Sequence, residues 1–502
     1  MPKKLSSRWI LAFDGNDHVL IENGFVAIEG DRIIKIGDAH ATAASSHEGW
    51  EHRDYGNALI APGFIDLNAL ADVDTTILGF GGQRPPLASM WSRSYAQSGR
   101  REVLTRDQRL MSARFAFGQL LLSGITTALP VTSLLFRAWA ESVAEFDDIA
   151  ALADELGLRL LLGPSYRSAV NVAEPDGQVG QLADEEAGLA GLRDALDFAR
   201  RCEGAGPLVS PLLVPSTIET CSDELLQRTA SAAKDLGIPF RLHCCQSALE
   251  TRLIWQRSSR SSIGHLAALG VLGNAALLPH ALELGGPQRD PNLVLSDFEQ
   301  LETSGSTVVH CPLVVGRAGR KLESFARMRA KGIRIGLGTD TAPPDMLMNL
   351  QMGLAMSRVE DEAAADIPEF VRAATLAGAE AIGRRDLGRL EPGAQADLAV
   401  WDLAAFDAQP VFDPLEALFL MPPGRRARDV FVAGRCCVKD HELQAFDVAH
   451  ASERIAEIFQ ILLDSFPERH WQNRHWRELF PPSFPIQPAS ALGGRDSKGD
   501  MR

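Results

Sequence analysis

The stretch Ala61-Pro-Gly-Phe-Ile-Asp-Leu-Asn-Ala-Leu70 is a short apolar run with polar side chains inside it. Seven further apolar runs follow, and segments with helical patterns separate them. The runs end near Pro130, Pro164, Pro215, Cys244, His280, Cys311 and Asp340. This alternation is typical of a parallel sheet with helical crossovers, and eight units predict an α/β fold with a (β/α)8 TIM barrel. An open doubly wound sheet is the alternative, but no G-x-G-x-x-G follows the first run.

Both ends of the chain have a different pattern. Residues 8–55 and 388–438 contain short apolar runs separated by turn signals such as Asn23-Gly24 and Gly37-Asp38. These patterns predict antiparallel strands with tight turns, and together a small discontinuous β-sandwich. Apolar residues at near-helical spacing over 452–466 predict a helix with one packing face. The predicted domains are 1–58 (first part of the sandwich), 59–387 (barrel), 388–441 (second part of the sandwich) and 442–502 (helical extension and loose tail).

Composition excludes several classes of partner. The 502 residues include 50 Lys and Arg and 65 Asp and Glu, a net charge of -15, and no basic run would follow a phosphate backbone. The apolar piece Trp9–Phe13 is too short for a signal peptide core or a membrane span. Seven cysteines without a C-x-x-C motif indicate buried thiols. We therefore expect a cytoplasmic protein that binds a small-molecule substrate, without nucleic acid or membrane as partner.

Four polar residues stand at the ends of predicted strands. They are His243, His280, His310 and Asp340, at the ends of the fifth to eighth strands. The C-terminal ends of barrel strands meet around one pocket, so these side chains are expected to converge although they lie far apart in the sequence. Convergence of imidazoles and a carboxylate predicts metal or acid–base chemistry.

The motifs resemble a known family. The resemblance is carried by Pro62-Gly-Phe-Ile-Asp66, Ser123-Gly-Ile-Thr-Thr127, Pro211-Leu-Leu-Val-Pro-Ser216, Leu242-His243, Leu278-Pro-His280, His310-Cys-Pro312, Leu337-Gly-Thr-Asp340, Ala374-Thr-Leu-Ala-Gly-Ala379 and Leu390-Glu-Pro-Gly-Ala-Gln-Ala-Asp397. In this order they are similar to the amidohydrolase superfamily, in the chlorohydrolase and deaminase branch that includes triazine hydrolases. The resemblance implies a hydrolase of carbon–nitrogen bonds other than peptide bonds.

The chain departs from that family at its first strand. The family has His-x-His where this sequence has Asn68 and Leu70. Leucine offers no donor atom and asparagine only a neutral carbonyl oxygen, so the metal site must be weakened or rebuilt. Asn68 is similar to the asparagine of phenylurea and molinate hydrolases. Asp72 and Asp74 are further candidate ligands, although solvated loop carboxylates are the more common case.

The resemblance also implies roles for the strand-end residues. One divalent ion, zinc in preference to cobalt, manganese or iron, is held by Asn68, His243, His280 and Asp340. Asp340 also deprotonates the attacking water, and His280 orients or polarises the substrate. Where the family has a glutamate as proton shuttle, this chain has Gln246, and a carboxamide cannot carry a proton. Asp340, His310 or a water molecule must then transfer the proton.

Loop residues after the first and third strands complete the predicted site. Trp91, Tyr95, Tyr166 and Arg167, together with Gln246, are expected to contact the substrate. The predicted reaction is hydrolysis at an sp2 carbon bearing nitrogen, in an aryl urea, carbamate, amide or nitrogen heterocycle. Alternatives are deamination of a heterocycle, a non-catalytic ligand-binding protein, and a metal-free acid–base enzyme. We also expect a homo-oligomer.

Overall fold

The computed structural model describes residues 2–38, 49–73, 75–79, 85, 87–98, 102–132, 140–202, 206–360, 365–420 and 424–488. Eight parallel strands form two sheets of four. They are, in chain order, Phe64–Leu70, Ile125–Val131, Arg159–Leu162, Val209–Pro211, Phe240–Arg241, Ala276–Pro279, Thr307–His310 and Arg334–Leu337. We call them the first to eighth parallel strands. Each lies at or beside one of the eight predicted segments, but the fourth, Val209–Pro211, ends before the predicted end near Pro215.

Backbone contacts connect the two four-stranded sheets at both sides. Leu213, just after the fourth strand, forms a parallel bridge with Phe240 of the fifth. Beyond the eighth strand, the Asp340 N–H donates to the Asn68 carbonyl oxygen of the first at 2.8 Å. Between the sheets lies an apolar cluster of inward-facing residues such as Leu67, Leu129 and Val309. The carboxyl ends of all eight strands therefore point the same way, which brings their loops together.

Helices follow the strands and cover their outer faces. Their bounds are Arg93–Gln97, Arg106–Leu122, Val143–Leu156, Glu185–Cys202, Asp223–Leu236, Ala248–Ser258, Ser262–Ala268, Pro291–Ser304, Pro312–Arg317, Phe325–Ala330, Met346–Glu360, Ile367–Ala374, Leu376–Ala381 and Pro414–Leu420, with 3-10 turns at Thr75–Ile77, Ile218–Thr220 and Phe406–Ala408. A capping box of Thr105 and Gln108 begins one of the longest helices. Gly157 and Gly237 end two others in left-handed conformation, where a side chain would be strained.

Strands from both chain ends join in one nine-stranded sheet. Their bounds are Lys3–Phe13, His18–Glu29, Arg32–Asp38, Glu51–Asp54, Ala58–Pro62, Leu398–Asp402, Asp429–Val432, Arg435–Lys439 and Glu442–Leu443. The predicted tight turn at Asn23-Gly24 is wrong, because His18–Glu29 is one continuous strand. Gly24 is needed there for packing: a Cβ at that position would lie 3.0 Å from side-chain atoms of Ile10 and Ile21.

A short three-stranded sheet and a helical extension complete the described chain. The sheet contains Trp91–Ser92, Ala169–Ala173 and Val179–Ala183, and a two-stranded pairing joins Ser165–Tyr166 to Val214–Pro215. The extension contains Val448–Asp464, Phe466–Arg469 and Trp476–Leu479. Its predicted helix is confirmed and buries Ile458 and Leu462 against Leu104. The predicted loose tail over 489–502 lies outside the described residues. Within the described part, no helix is both long and apolar enough for a membrane crossing.

Candidate active site

Three side chains from neighbouring strands meet in a buried cluster. His280, Cys311 and Asp340 directly follow the sixth and seventh strands and closely follow the eighth, and one donor atom from each lies within 4.8 Å of those of the others. His280 Nε2 lies 3.7 Å from Asp340 Oδ2. A nitrogen, a sulfur and an oxygen donor thus share one small volume.

The backbone is strained where these residues leave their strands. His280 has φ of 84° and Asp340 has φ of 47°, and Cys245, after the fifth strand, has φ of 54°. Left-handed conformations are uncommon for residues other than glycine, and they cluster at functional sites. Such conformations after the fifth, sixth and eighth strands mark this end of the strands as a candidate functional region.

The first strand contributes Asn68 to the cluster. Its Nδ2 approaches Cys311 Sγ at 3.8 Å, within the range for a hydrogen bond to sulfur. Its Oδ1 is buried and has no hydrogen-bond partner among the residues that the structure describes. Asp66, two residues earlier, accepts hydrogen bonds from the backbone N–H groups of Asn68 and Thr339 at 3.1 and 3.0 Å and from the Thr339 hydroxyl. Asp66 therefore ties the first strand to the residues that follow the eighth.

His243 and His280 lie side by side as neutral rings. Their centroids are 5.4 Å apart, and His243 Nδ1 lies 3.1 Å from the Ser216 carbonyl oxygen. Burial, helped by the charge of Arg241, lowers the pKa of His243 to about 3. Burial and the neighbouring His243 lower the pKa of His280 too, and within the described part of the chain neither His280 ring nitrogen has a hydrogen-bond partner. Neutral imidazoles with free lone pairs are the form that binds metals.

Arg241 is a functional candidate that sequence reasoning missed. Its side chain is fully buried, and its guanidinium donates to the carbonyl oxygens of Leu129 and Pro130 at the end of the second strand. Burial lowers the pKa of Arg241 to about 10, while the charge of Asp340 opposes that shift. The signal was its spacing: residues i and i+2 of a strand share a face, so Arg241 lies on the same face as His243.

Asp340 is buried enough for its charge to be costly. Burial raises the pKa of Asp340 to about 7, and the Arg241 charge acts against that rise. A carboxyl group with a pKa near the working pH is suited to take up and release a proton.

The structure places His310 away from the cluster. Its ring faces Phe325, on a helix outside the sheet, with centroids 6.3 Å apart. Burial lowers the pKa of His310 to about 3. Alternation along the seventh strand explains this placement, because Val309 and Cys311 face inward. The predicted shuttle role of His310 therefore gains no support from its position.

Gln246 lies in a well-fixed turn after the fifth strand. Glu250 accepts hydrogen bonds from the backbone N–H groups of Cys245 and Gln246, both at 2.7 Å, and from the Ser262 hydroxyl. Burial raises the pKa of Glu250 to about 8. Arg320 donates to the Gln246 carbonyl oxygen and to Glu283, which connects this turn to the loop after the sixth strand.

Three of the four predicted loop residues form one group. The Trp91 and Tyr95 rings meet edge to face at 5.2 Å, and the Arg167 guanidinium lies over the Trp91 ring at 5.3 Å. Tyr166 is elsewhere: its ring is buried among the helices, and its hydroxyl lies 2.8 Å from Thr229 Oγ1. This position gives no support to the prediction of Tyr166 as a substrate contact.

Asp72 does not join the donor cluster among the described residues. Asp72 lines a separate cavity with Arg106 and Glu145. Asp74 lies outside the described residues.

Comparison with known proteins identifies the family. Residues 92–437 match the model of the amidohydrolase family, which is well over half of the chain. The chain therefore belongs to the amidohydrolase family. The predicted enzyme class, a hydrolase acting on carbon–nitrogen bonds other than peptide bonds, is confirmed.

Similar proteins include curated deaminases. A 5-methylthioadenosine/S-adenosylhomocysteine deaminase of Nitratidesulfovibrio vulgaris is 27% identical over 458 residues, 89% of this chain and 94% of its own length. An 8-oxoguanine deaminase of Pseudomonas aeruginosa is 27% identical over 69% of this chain and 75% of its own length.

Solved structures show the same fold. An adenosine deaminase from Xanthomonas campestris with bound zinc has a TM-score of 0.73 at 18% identity, covering 91% of this chain and 98% of that one. An atrazine chlorohydrolase from Arthrobacter aurescens in complex with zinc has a TM-score of 0.71 at 21% identity, covering 91% and 100%.

Proposed function

We propose that this enzyme hydrolyses a carbon–nitrogen bond at an sp2 carbon of a small heterocycle, at a metal site on the mouth of a closed (β/α)8 barrel. The observation that carries the proposal is the convergence of His280, Cys311 and Asp340 donor atoms within 4.8 Å. Bridging contacts on both sides of the two parallel sheets support closure of the barrel. The division into barrel, β-sandwich and helical extension at residues 58, 387 and 441 belongs to the same proposal.

The residues present fit a divalent ion. Neither His280 ring nitrogen has a hydrogen-bond partner, and the buried Asn68 Oδ1 also lacks one. Leaving buried polar atoms unpaired costs free energy, which a ligand that they bind would recover. Imidazole, carboxylate and carbonyl donors suit zinc, and also cobalt, manganese or iron. We propose one ion held by donors among Asn68, His243, His280 and Asp340.

The ion would supply Lewis acidity and make a water acidic enough to react near neutral pH. Asp340 would accept the proton of the attacking water, since its carboxyl lies beside the cluster and its pKa is raised towards neutrality. His280 would hold the substrate through its neutral ring. Proton return to the leaving nitrogen would also fall to Asp340 or to a water, because Gln246 cannot carry a proton.

The reaction with the broadest support is deamination, with a purine-type heterocycle as the substrate class. The deaminase of N. vulgaris aligns with 89% of this chain, and a second deaminase acts on 8-oxoguanine. Trp91, Tyr95 and Arg167 pack against one another, and we propose that this group lies beside the substrate. Hydrolysis of an aryl urea or carbamate is the second candidate, favoured by Gln246 because such a reaction is less dependent on a carboxylate shuttle.

A substrate panel tests the proposal. Zinc-loaded protein is incubated with 5-methylthioadenosine, adenosine, 8-oxoguanine, a phenylurea and an aryl carbamate, and released ammonia or aryl amine is measured. Ammonia release from a purine substrate that disappears in Asp340→Asn supports deamination, and aryl amine release from the phenylurea or carbamate supports the second candidate. Turnover that is equal in wild type and Asp340→Asn would refute the assigned site. A cytoplasmic location and a homo-oligomeric state remain predictions.

A further inference from the structure

We propose that Cys311 is a metal ligand, as a thiolate that replaces an imidazole missing from the first strand. The inference rests on the proposed function and goes beyond it, because the ligand set becomes His280, Cys311 and Asp340. The positions where an imidazole pair is expected hold Asn68 and Leu70. Cys311 approaches the same volume from the seventh strand, across the mouth of the barrel.

The distances between the donor atoms support Cys311 as a metal ligand. In a tetrahedral zinc site with bonds of about 2.0–2.3 Å, two ligand atoms lie about 3.5 Å apart. The donor atoms of His280, Cys311 and Asp340 lie within 4.8 Å of one another, and the His280 to Asp340 approach is 3.7 Å. Side-chain shifts of about an ångström would bring the three donors to bonding distance of one ion.

Buried polar atoms around Cys311 also support the assignment. The His280 side chain is only 2% exposed, and both of its ring nitrogens are buried without a hydrogen-bond partner among the described residues. Asn68 Nδ2 lies 3.8 Å from Cys311 Sγ. An N–H group directed at sulfur stabilises a thiolate, which is a common feature around metal-bound cysteines.

The balance of charges around the proposed ion also supports a Cys311 thiolate. With Cys311 as a thiolate, the anions grouped here among the described residues are the buried Cys311 and Asp66 and the partly buried Asp340, and Arg241 is the buried cation beside them. A divalent ion brings the positive charges to three, equal to the negative ones. Binding breaks the S–H bond of Cys311, the proton leaves to solvent, and the sulfur lone pair forms the bond to the ion. Thiolate ligation also favours zinc or cobalt over manganese or magnesium.

Cobalt spectroscopy of the full-length protein tests the assignment. Metal-free protein is loaded with Co²⁺, bound cobalt is measured by elemental analysis, and the near-ultraviolet sulfur-to-cobalt charge-transfer band is recorded. We expect the band in wild type and its loss in Cys311→Ser and Cys311→Ala. Cys244→Ser and Cys437→Ser, which alter other buried thiols, should retain it.

The outcomes separate the two proposals. Cobalt bound by wild type without the charge-transfer band would overturn the role of Cys311 and leave the metal-dependent function standing. A band that persists in Cys311→Ser would do the same. Failure of wild type to bind any cobalt or zinc would overturn both. The wild-type spectrum decides even where a variant fails to fold.

Discussion

The backbone N–H of Asp340 donates to the carbonyl oxygen of Asn68 at 2.8 Å, which joins the last parallel strand to the first inside the candidate site. Asn68 stands where the family resemblance implies a histidine, and Asp340 carries the carboxylate that we propose as the general base. This backbone contact holds Asp340 next to the first strand.

Asp340→Asn should remove catalysis and preserve the fold. The amide keeps the shape of the side chain but cannot accept the proton of water, and general-base contributions are typically about 10²–10⁴-fold in rate. Steady-state kinetics on the substrate identified by the panel should show a fall in kcat of that size. Thermal melting within a few degrees of wild type is the control. Unchanged kcat would contradict the assigned role.

Asp66→Ala should destabilise the protein and reduce activity together. The Asp66 carboxylate accepts three hydrogen bonds from Asn68 and Thr339, and its removal leaves buried donors unpaired at about 1–3 kcal/mol each. Urea denaturation should show a loss of about 3 kcal/mol or more in the free energy of unfolding. Thr339→Val, which removes one of these donors, should cost less. An unchanged free energy of unfolding in Asp66→Ala would show that other contacts hold the strands together.

Asp397→Ala should weaken the junction between the nine-stranded sheet and the third parallel strand. Arg159 donates to Asp397 at 3.0 and 3.1 Å, both side chains are almost fully buried, and the Ala433 N–H donates to the same carboxylate. Removing one partner of a buried ion pair costs about 3–5 kcal/mol. Glu22→Ala, at an exposed pair with Arg8, is the matched control and should cost less than about 1 kcal/mol. Equal losses in the two variants would contradict this account.

His18 should contribute acid sensitivity to the fold. Burial lowers the pKa of His18 from 6.5 to about 4, so the unfolded chain binds its proton first as pH falls. Its contribution to stability is complete above pH 6.5 and is lost between pH 6.5 and 4, by about 3 kcal/mol. Stability measured from pH 7 to 4 should fall less in His18→Gln than in wild type. Parallel curves would refute the prediction.

The sequence predicted the order of the strands because each apolar run is bounded by helical patterns and turn signals. It also located His243, His280 and Asp340 correctly at strand ends. It could not orient side chains at those ends. Cys311 was interpreted as a buried thiol and His310 as a candidate catalyst, whereas the inward face of the seventh strand contains Val309 and Cys311.

Arg241 shows a second limit of sequence reasoning. A lone arginine in an apolar strand has no family motif, and its meaning depends on the carbonyl oxygens and carboxylates that surround it in three dimensions. Tyr166 fails for a related reason: its position after a strand is compatible with either face, and packing against Thr229 decides between them.

Metal content is the most direct test of the central claim, that the rebuilt strand ends hold one catalytic ion. Protein purified without added metal, then dialysed against zinc and freed of excess, is measured by elemental analysis, and activity is followed during chelation and reloading. The account predicts about one equivalent per chain, with activity lost on chelation and restored by zinc. Absence of bound metal at saturating zinc, with activity insensitive to chelator, would contradict it.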